Sequence, residues 1–134
     1  MKTYRILILE DDLSALSVVM NRLFHVEQGL GVEKNFDFAV TVLSEYTQVE
    51  ELINPRPDVY DIILLDRDCR ACGSFHVLDF KKFDPDKIIA ISTYPEYNQT
   101  ARDLGVKISS QKDYDKLEEW GNDVKDKIVC MLNL

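Results

Sequence analysis

Three apolar runs constrain the fold of this chain more than any other feature. They cover residues 5–9, 62–65 and 88–91, and each continues without the polar alternation of a half-exposed strand. Such runs are typical of parallel strands that are covered on both faces. Each run also ends on polar residues, which are Glu10-Asp11-Asp12, Asp66 and Ser92-Thr93 in turn. The sequence therefore predicts buried strands that open into polar loops.

The segments around these runs carry apolar residues at helical or strand spacing. Helices are predicted over residues 13–24, around 49–53 with a stop at Pro55, and over 75–83, 99–104 and 114–132. Further strands are predicted over 36–43 and 106–110. Strand and helix thus alternate five times, which favours an α/β fold with a doubly wound, five-stranded parallel sheet.

Length and composition exclude several classes of function. A chain of 134 residues fits one domain, and 46% hydrophobic residues indicate a compact core. The net charge of -8 argues against direct binding of nucleic acid. Neither a signal peptide nor an apolar stretch of about 20 residues is present, so we expect no membrane span. The three cysteines fit a reducing compartment, which predicts a cytoplasmic protein.

The polar residues at the strand ends predict one site. Ligands of such sheets bind at the carboxyl edge, where Glu10, Asp11, Asp66, Ser92 and Lys112 are expected to lie. Three carboxylates in one small pocket stay ionised only if a cation joins them, and hard oxygen ligands favour Mg²⁺. Asp66 would then act as a nucleophile toward phosphorus, with Ser92 and Lys112 holding the phosphoryl oxygens.

These motifs resemble, in order and spacing, the receiver domains of two-component response regulators, over nearly the whole chain. The matching segments are residues 6–12, 61–66, 88–92 and 105–112. The resemblance implies the flavodoxin-like (βα)5 receiver fold, with Asp66 accepting a phosphoryl group from a sensor histidine kinase or a phosphotransfer protein. It also implies that Asp11, Asp66 and the backbone carbonyl of Asp68 bind Mg²⁺, with Glu10 acting through a water.

The same resemblance implies a signalling module. We expect one receiver domain over residues 1–134 without an output domain, which phosphorylates and dephosphorylates itself but is not a turnover enzyme. Its effect would then pass to a downstream protein partner or a separate effector chain, and a homodimer stays open as an arrangement.

Two positions depart from the family pattern. Asp113 follows Lys112 where the family usually has proline, and Ser109 stands where it usually has a switch aromatic. These departures keep open the alternative of a pseudo-receiver, an interaction module that is not phosphorylated.

Cys69 and Cys72 offer a further alternative, a thiol-based sensor. His76 extends the pair to a Cys-x₂-Cys-x₃-His spacing that also suits zinc. Only one such pair occurs, so two free thiols in a loop are the simpler interpretation. Both histidines, His25 and His76, are interpreted as surface or helix residues.

Overall fold

The fold is built on one parallel sheet, seen in a computed structural model that describes residues 1–69 and 73–134. Its five strands are β1 (Lys2–Leu9), β2 (Phe36–Leu43), β3 (Ile62–Leu65), β6 (Ile88–Ala90) and β7 (Ile108–Ser109). They are arranged in the order β2-β1-β3-β6-β7, and every neighbouring pair is parallel. A small antiparallel hairpin joins β4 (Asp68–Cys69) to β5 (Gly73–Ser74). The predicted five-stranded α/β sheet is confirmed.

Helical segments connect the strands. The α-helices are α1 (Leu13–Val26), α2 (Val32–Lys34), α3 (Tyr46–Gln48), α4 (Pro95–Asp103) and α5 (Leu117–Met131). Two π-helical turns, Glu27–Gly31 and Val49–Ile53, extend α1 and α3, and 3₁₀ turns cover Phe75–Val77, Pro85–Lys87 and Tyr114–Lys116. All predicted strands and four of the five predicted helices are therefore present, with ends shifted by a few residues.

Apolar side chains cover both faces of the sheet, as the unbroken runs require. Alternate residues of the central strands point to opposite sides, so Leu7 and Leu65 lie in one core and Ile8 and Leu64 in the other. The second core is closed by α1 and α5, whose buried residues include Val19, Leu23, Trp120, Val124 and Ile128. The carboxyl ends of the central strands β1, β3 and β6 are therefore held in the buried part of the sheet.

The helix predicted over residues 75–83 is wrong. Only the 3₁₀ turn Phe75–Val77 forms there, although Phe75, Leu78 and Phe83 are buried as the helical spacing suggested. Asn54, from the preceding loop, donates its side-chain amide to the Val77 carbonyl at 2.9 Å and accepts from the Asp79 amide at 2.9 Å. These bonds satisfy backbone groups that a helix would otherwise pair internally.

The end of the first helix also differs from the prediction. Gly29 and Gly31 do not stop it, because the chain continues through the π-helical turn to Lys34 and ends at Asn35 with a φ of 60°. A Cβ on Gly31 would lie 2.8 Å from the Phe36 carbonyl oxygen, so glycine here permits close packing on β2. Among residues 1–69 and 73–134, no helix is long and apolar enough to cross a membrane.

Candidate functional site

The predicted site residues lie together at the carboxyl edge of the sheet. Backbone bonds align the strand ends: the Asp66 amide donates to the Leu9 carbonyl at 3.1 Å, and the Lys112 amide to the Ser92 carbonyl at 3.2 Å. Glu10 directly follows β1, so its side chain enters the same edge. The parallel register thus brings residues far apart in sequence into one pocket.

Glu10, Asp11 and Asp66 form a compact acidic cluster. One carboxylate oxygen from each lies within 4.8 Å of the others. Glu10 is 1% exposed and Asp66 9% exposed. The Asp11 and Asp12 amides both donate to Glu10 Oε1 at 3.1 Å, which fixes that carboxylate at the turn into α1. Asp12 caps the helix by accepting from the Ala15 amide at 2.9 Å.

Lys112 supplies positive charge at the base of the cluster. Its ammonium is ion-paired with Glu10 Oε2 and lies 3.5 Å from Asp66 Oδ2, and the residue is 2% exposed. Burial opposes the charged form, but the carboxylates of Glu10 and Asp66 raise the pKa of Lys112 above its ordinary value. The lysine therefore stays charged between the two acids.

One lysine does not balance three acids. Burial and the neighbouring Asp66 carboxylate raise the pKa of Glu10 to about 7, against the opposing effect of Lys112. The surplus of negative charge in a buried oxygen-rich cluster fits a hard divalent cation such as Mg²⁺, for which carboxylate oxygens are preferred ligands. The residues present therefore suit the ion that the sequence predicts.

Ser92 and the backbone of Arg67 complete the floor of the site. The Arg67 amide donates to Asp66 Oδ1 at 2.8 Å and to Ser92 Oγ at 2.9 Å. Asn98 fixes the end of β6, because its side chain accepts from the Ser92 amide at 2.9 Å and donates to the Ser92 carbonyl at 3.0 Å. Asn98 is 2% exposed, and sequence reasoning missed it because an asparagine just before the helix predicted over residues 99–104 carries no signal for this role.

A cavity of about 300 Å³ opens above these groups. Besides the acids and Lys112, its described lining includes Asp68, Cys69, Thr93, Tyr94, Tyr97 and Tyr114. Asp68 thus lines the cavity, and the role of its backbone carbonyl as a metal ligand stays a prediction. The cavity is open and acidic, so it is suited to a cation and a small anionic group together.

The two departures from the family pattern have local partners of their own. Asp113 accepts from the Asp115 amide at 3.0 Å and so caps the turn Tyr114–Lys116. Ser109 Oγ accepts from Arg102 Nη1 at 2.8 Å, which ties β7 to α4. The lysine loop is therefore built around an aspartate cap, and a polar contact occupies the position of the switch aromatic.

The cysteine motif is only partly described. Cys69 is 8% exposed, and its thiol donates to the Ser44 carbonyl at 3.3 Å. Cys72 lies outside the described residues. His76 lies in the 3₁₀-helical turn Phe75–Val77 and is partly exposed, in line with its interpretation as a surface or helix residue. Both of its ring nitrogens are nevertheless buried and without a hydrogen-bond partner in the described chain.

Comparison with solved structures identifies the fold. A response regulator receiver domain from Rhodospirillum rubrum superimposes with a TM-score of 0.70 at 13% identity, over 97% of this chain and 94% of the other. A candidate response regulator from Chloroflexus aurantiacus superimposes with a TM-score of 0.59 at 16% identity, over 96% of this chain and 99% of the other. An orphan response regulator of H. pylori superimposes with a TM-score of 0.54 at 20% identity, over 93% of this chain and 96% of the other.

These similarities show that the chain has the receiver-domain fold over almost its whole length. No family model matches the sequence, and no curated protein matches it significantly. The similarity therefore shows the fold, and the chemistry of the site depends on its own residues.

Proposed function

We propose that this protein is a signalling receiver that accepts a phosphoryl group on Asp66 in a Mg²⁺-dependent reaction. The observation that carries the proposal is the convergence of Glu10, Asp11, Asp66 and Lys112 in one pocket at the sheet edge. Two adjacent acids at the end of a strand are common. Packing of the sheet does not require a third acid and a buried lysine that come from two other strands, so their presence indicates a functional site.

The reaction would begin with attack by an Asp66 carboxylate oxygen on the phosphorus of a phosphohistidine. The new phosphorus–oxygen bond forms as the bond from phosphorus to the imidazole nitrogen breaks, and the released imidazole keeps the electron pair and takes a proton from water. Asp66 Oδ1 is held by the Arg67 amide, so Oδ2, which faces Lys112, is the oxygen we assign to the attack.

Bound Mg²⁺ would neutralise negative charge between the acids and the incoming phosphoryl group. Asp11 and Asp66 would hold it, with the backbone carbonyl of Asp68, and Glu10 would contribute through a water. Lys112 and the Ser92 hydroxyl would bind phosphoryl oxygens; Ser92 would donate its hydroxyl proton while its oxygen accepts from the Arg67 amide.

The partners follow from this chemistry. The phosphoryl donor would be a sensor histidine kinase or a phosphotransfer protein in the cytoplasm, and the phosphorylated form would act by binding a downstream protein or a separate effector chain. The domain would work as a switch whose acyl phosphate forms and hydrolyses slowly, and not as a turnover enzyme.

Acetyl phosphate provides the test, because it replaces the unidentified kinase as phosphoryl donor. With Mg²⁺ the wild type should gain the mass of one phosphoryl group, which EDTA or Asp66→Asn abolishes. Asp11→Asn should reduce the adduct, whereas Asp58→Asn, at an exposed loop aspartate, should leave it unchanged. No adduct on the wild type would support the pseudo-receiver alternative instead.

A further inference from the structure

Arg67 connects the predicted phosphorylation site to α4. Its backbone amide bonds Asp66, and its side chain has two neighbours from different elements. Nη1 lies 3.0 Å from Asp68 Oδ1, and the guanidinium carbon lies 4.3 Å from the centre of the Tyr97 ring. Tyr97 in turn packs edge-on against Tyr94, with ring centres 5.2 Å apart and an angle of 67° between the rings.

Arg67 supplies a second positive charge near the site, in addition to that of Lys112. Lys112 is buried at the base of the cavity, whereas the Arg67 side chain is 38% exposed and lies against Asp68 and Tyr97, which line the rim. A guanidinium presents planar paired donors that match the oxygens of a phosphoryl group. Arg67 is therefore placed and equipped to meet an anion bound at Asp66.

Its present contacts are weak ones. An ion pair between two half-exposed side chains and a stacking contact at a rim both contribute little, because water competes for the charges. A phosphoryl group on Asp66 would place almost two negative charges and three acceptor oxygens next to Arg67. Charge-assisted paired bonds to phosphate are stronger than either present contact.

We propose that Arg67 is a positioning residue that turns from Asp68 and Tyr97 to the phosphoryl group once Asp66 is phosphorylated. Loss of the guanidinium from the Tyr97 ring then loosens the Tyr94–Tyr97 pair and the first turn of α4. The surface that signals the phosphorylated state thus includes this tyrosine pair. The inference rests on the proposed phosphorylation of Asp66 and adds a route from that residue to α4.

The experiment measures two properties of protein loaded with acetyl phosphate and Mg²⁺. The first is the lifetime of the phosphoryl adduct after removal of the donor, followed by intact mass. The second is hydrogen exchange in peptides from residues 94–103, with and without the adduct. The variants are Arg67→Met, Arg67→Lys and Tyr97→Leu, all of which keep the backbone amide of residue 67.

We expect phosphorylation to increase exchange over residues 94–103 in the wild type. Arg67→Met should remove this response and shorten the adduct lifetime by about three- to tenfold, because a charge-assisted contact to the phosphoryl group is lost. Arg67→Lys should recover much of the lifetime, since the charge returns. Tyr97→Leu should remove the exchange response but keep the lifetime.

Arg56→Met is the matched control, because Arg56 is an exposed arginine in the loop before β3 and should behave as wild type. If the wild type forms the adduct and Arg67→Met changes neither its lifetime nor the exchange response, the inference is overturned and the proposed function stands. If the wild type forms no adduct at all, both are overturned together.

Discussion

Lowering the pH from about 7.5 to about 5 should destabilise the protein through one partly buried histidine. The ring nitrogens of His76 are shielded and have no hydrogen-bond partner in the described chain, and its ring packs edge-on to Phe80 at 5.8 Å. Burial, helped by the nearby Arg67 guanidinium, lowers the pKa of His76 from 6.5 to about 4 in the folded protein. The ring is therefore neutral when the protein is folded at pH 5.

The sign of the effect follows from proton binding. Between pH 6.5 and about 4 the unfolded chain binds a proton at this residue that the folded chain does not, so stability falls as the pH falls through this window. The shift corresponds to about 2 kcal/mol of lost stability at pH 5. Solvent screening at a partly exposed ring reduces the expected loss to roughly 1 kcal/mol.

Urea unfolding at the two pH values measures this loss, with the fluorescence of the single, buried Trp120 as the signal. His76→Phe keeps a ring beside Phe80 and cannot be protonated, so it should lose about 1 kcal/mol less than the wild type between pH 7.5 and 5. Replacing the exposed His25 by Gln is the control and should leave the wild-type difference unchanged. Equal losses in wild type and His76→Phe would refute the reasoning.

Two further predictions concern charge and packing. In EDTA, Lys112→Met should lower the free energy of unfolding by about 3 kcal/mol, because Glu10 and Asp66 lose their buried cation. Mg²⁺ should then raise the melting temperature of the variant more than that of the wild type. Equal shifts in melting temperature would contradict the cluster as described. Gly121→Ala should lower the free energy of unfolding by about 1–3 kcal/mol, because a Cβ there would lie 2.2 Å from Val18 Cγ1 where α1 meets α5. Adding Val18→Ala should recover part of this loss in urea unfolding, whereas additive costs would argue against the contact.

The sheet and the arrangement of the site could be predicted because one pattern encodes both. A run such as residues 62–65, which is apolar at every position, indicates a strand covered on both faces, and such strands are typical of parallel sheets. Once the strands are parallel, residues such as Asp66 and Ser92 that follow them must lie at the same edge. The spatial arrangement of residues that are far apart in sequence can therefore be predicted from local patterns.

The segment over residues 75–83 could not be predicted, because its structure depends on a residue elsewhere. Its apolar spacing suits a helix, yet the side chain of Asn54 takes the Val77 carbonyl and the Asp79 amide from the backbone. The same holds for the buried ring nitrogens of His76, which lies in this turn. Long-range contacts of single polar side chains leave no periodic signal in a sequence.

The position of the phosphoryl group tests the central claim most directly. After incubation with acetyl phosphate and Mg²⁺, borohydride reduction converts an aspartyl phosphate to homoserine, which peptide mass spectrometry locates in the chain. We predict homoserine at position 66 alone, and none when Mg²⁺ is withheld. Homoserine at position 11 or 68, or its complete absence from the wild-type protein, would contradict the assignment of Asp66 as the phosphoryl acceptor.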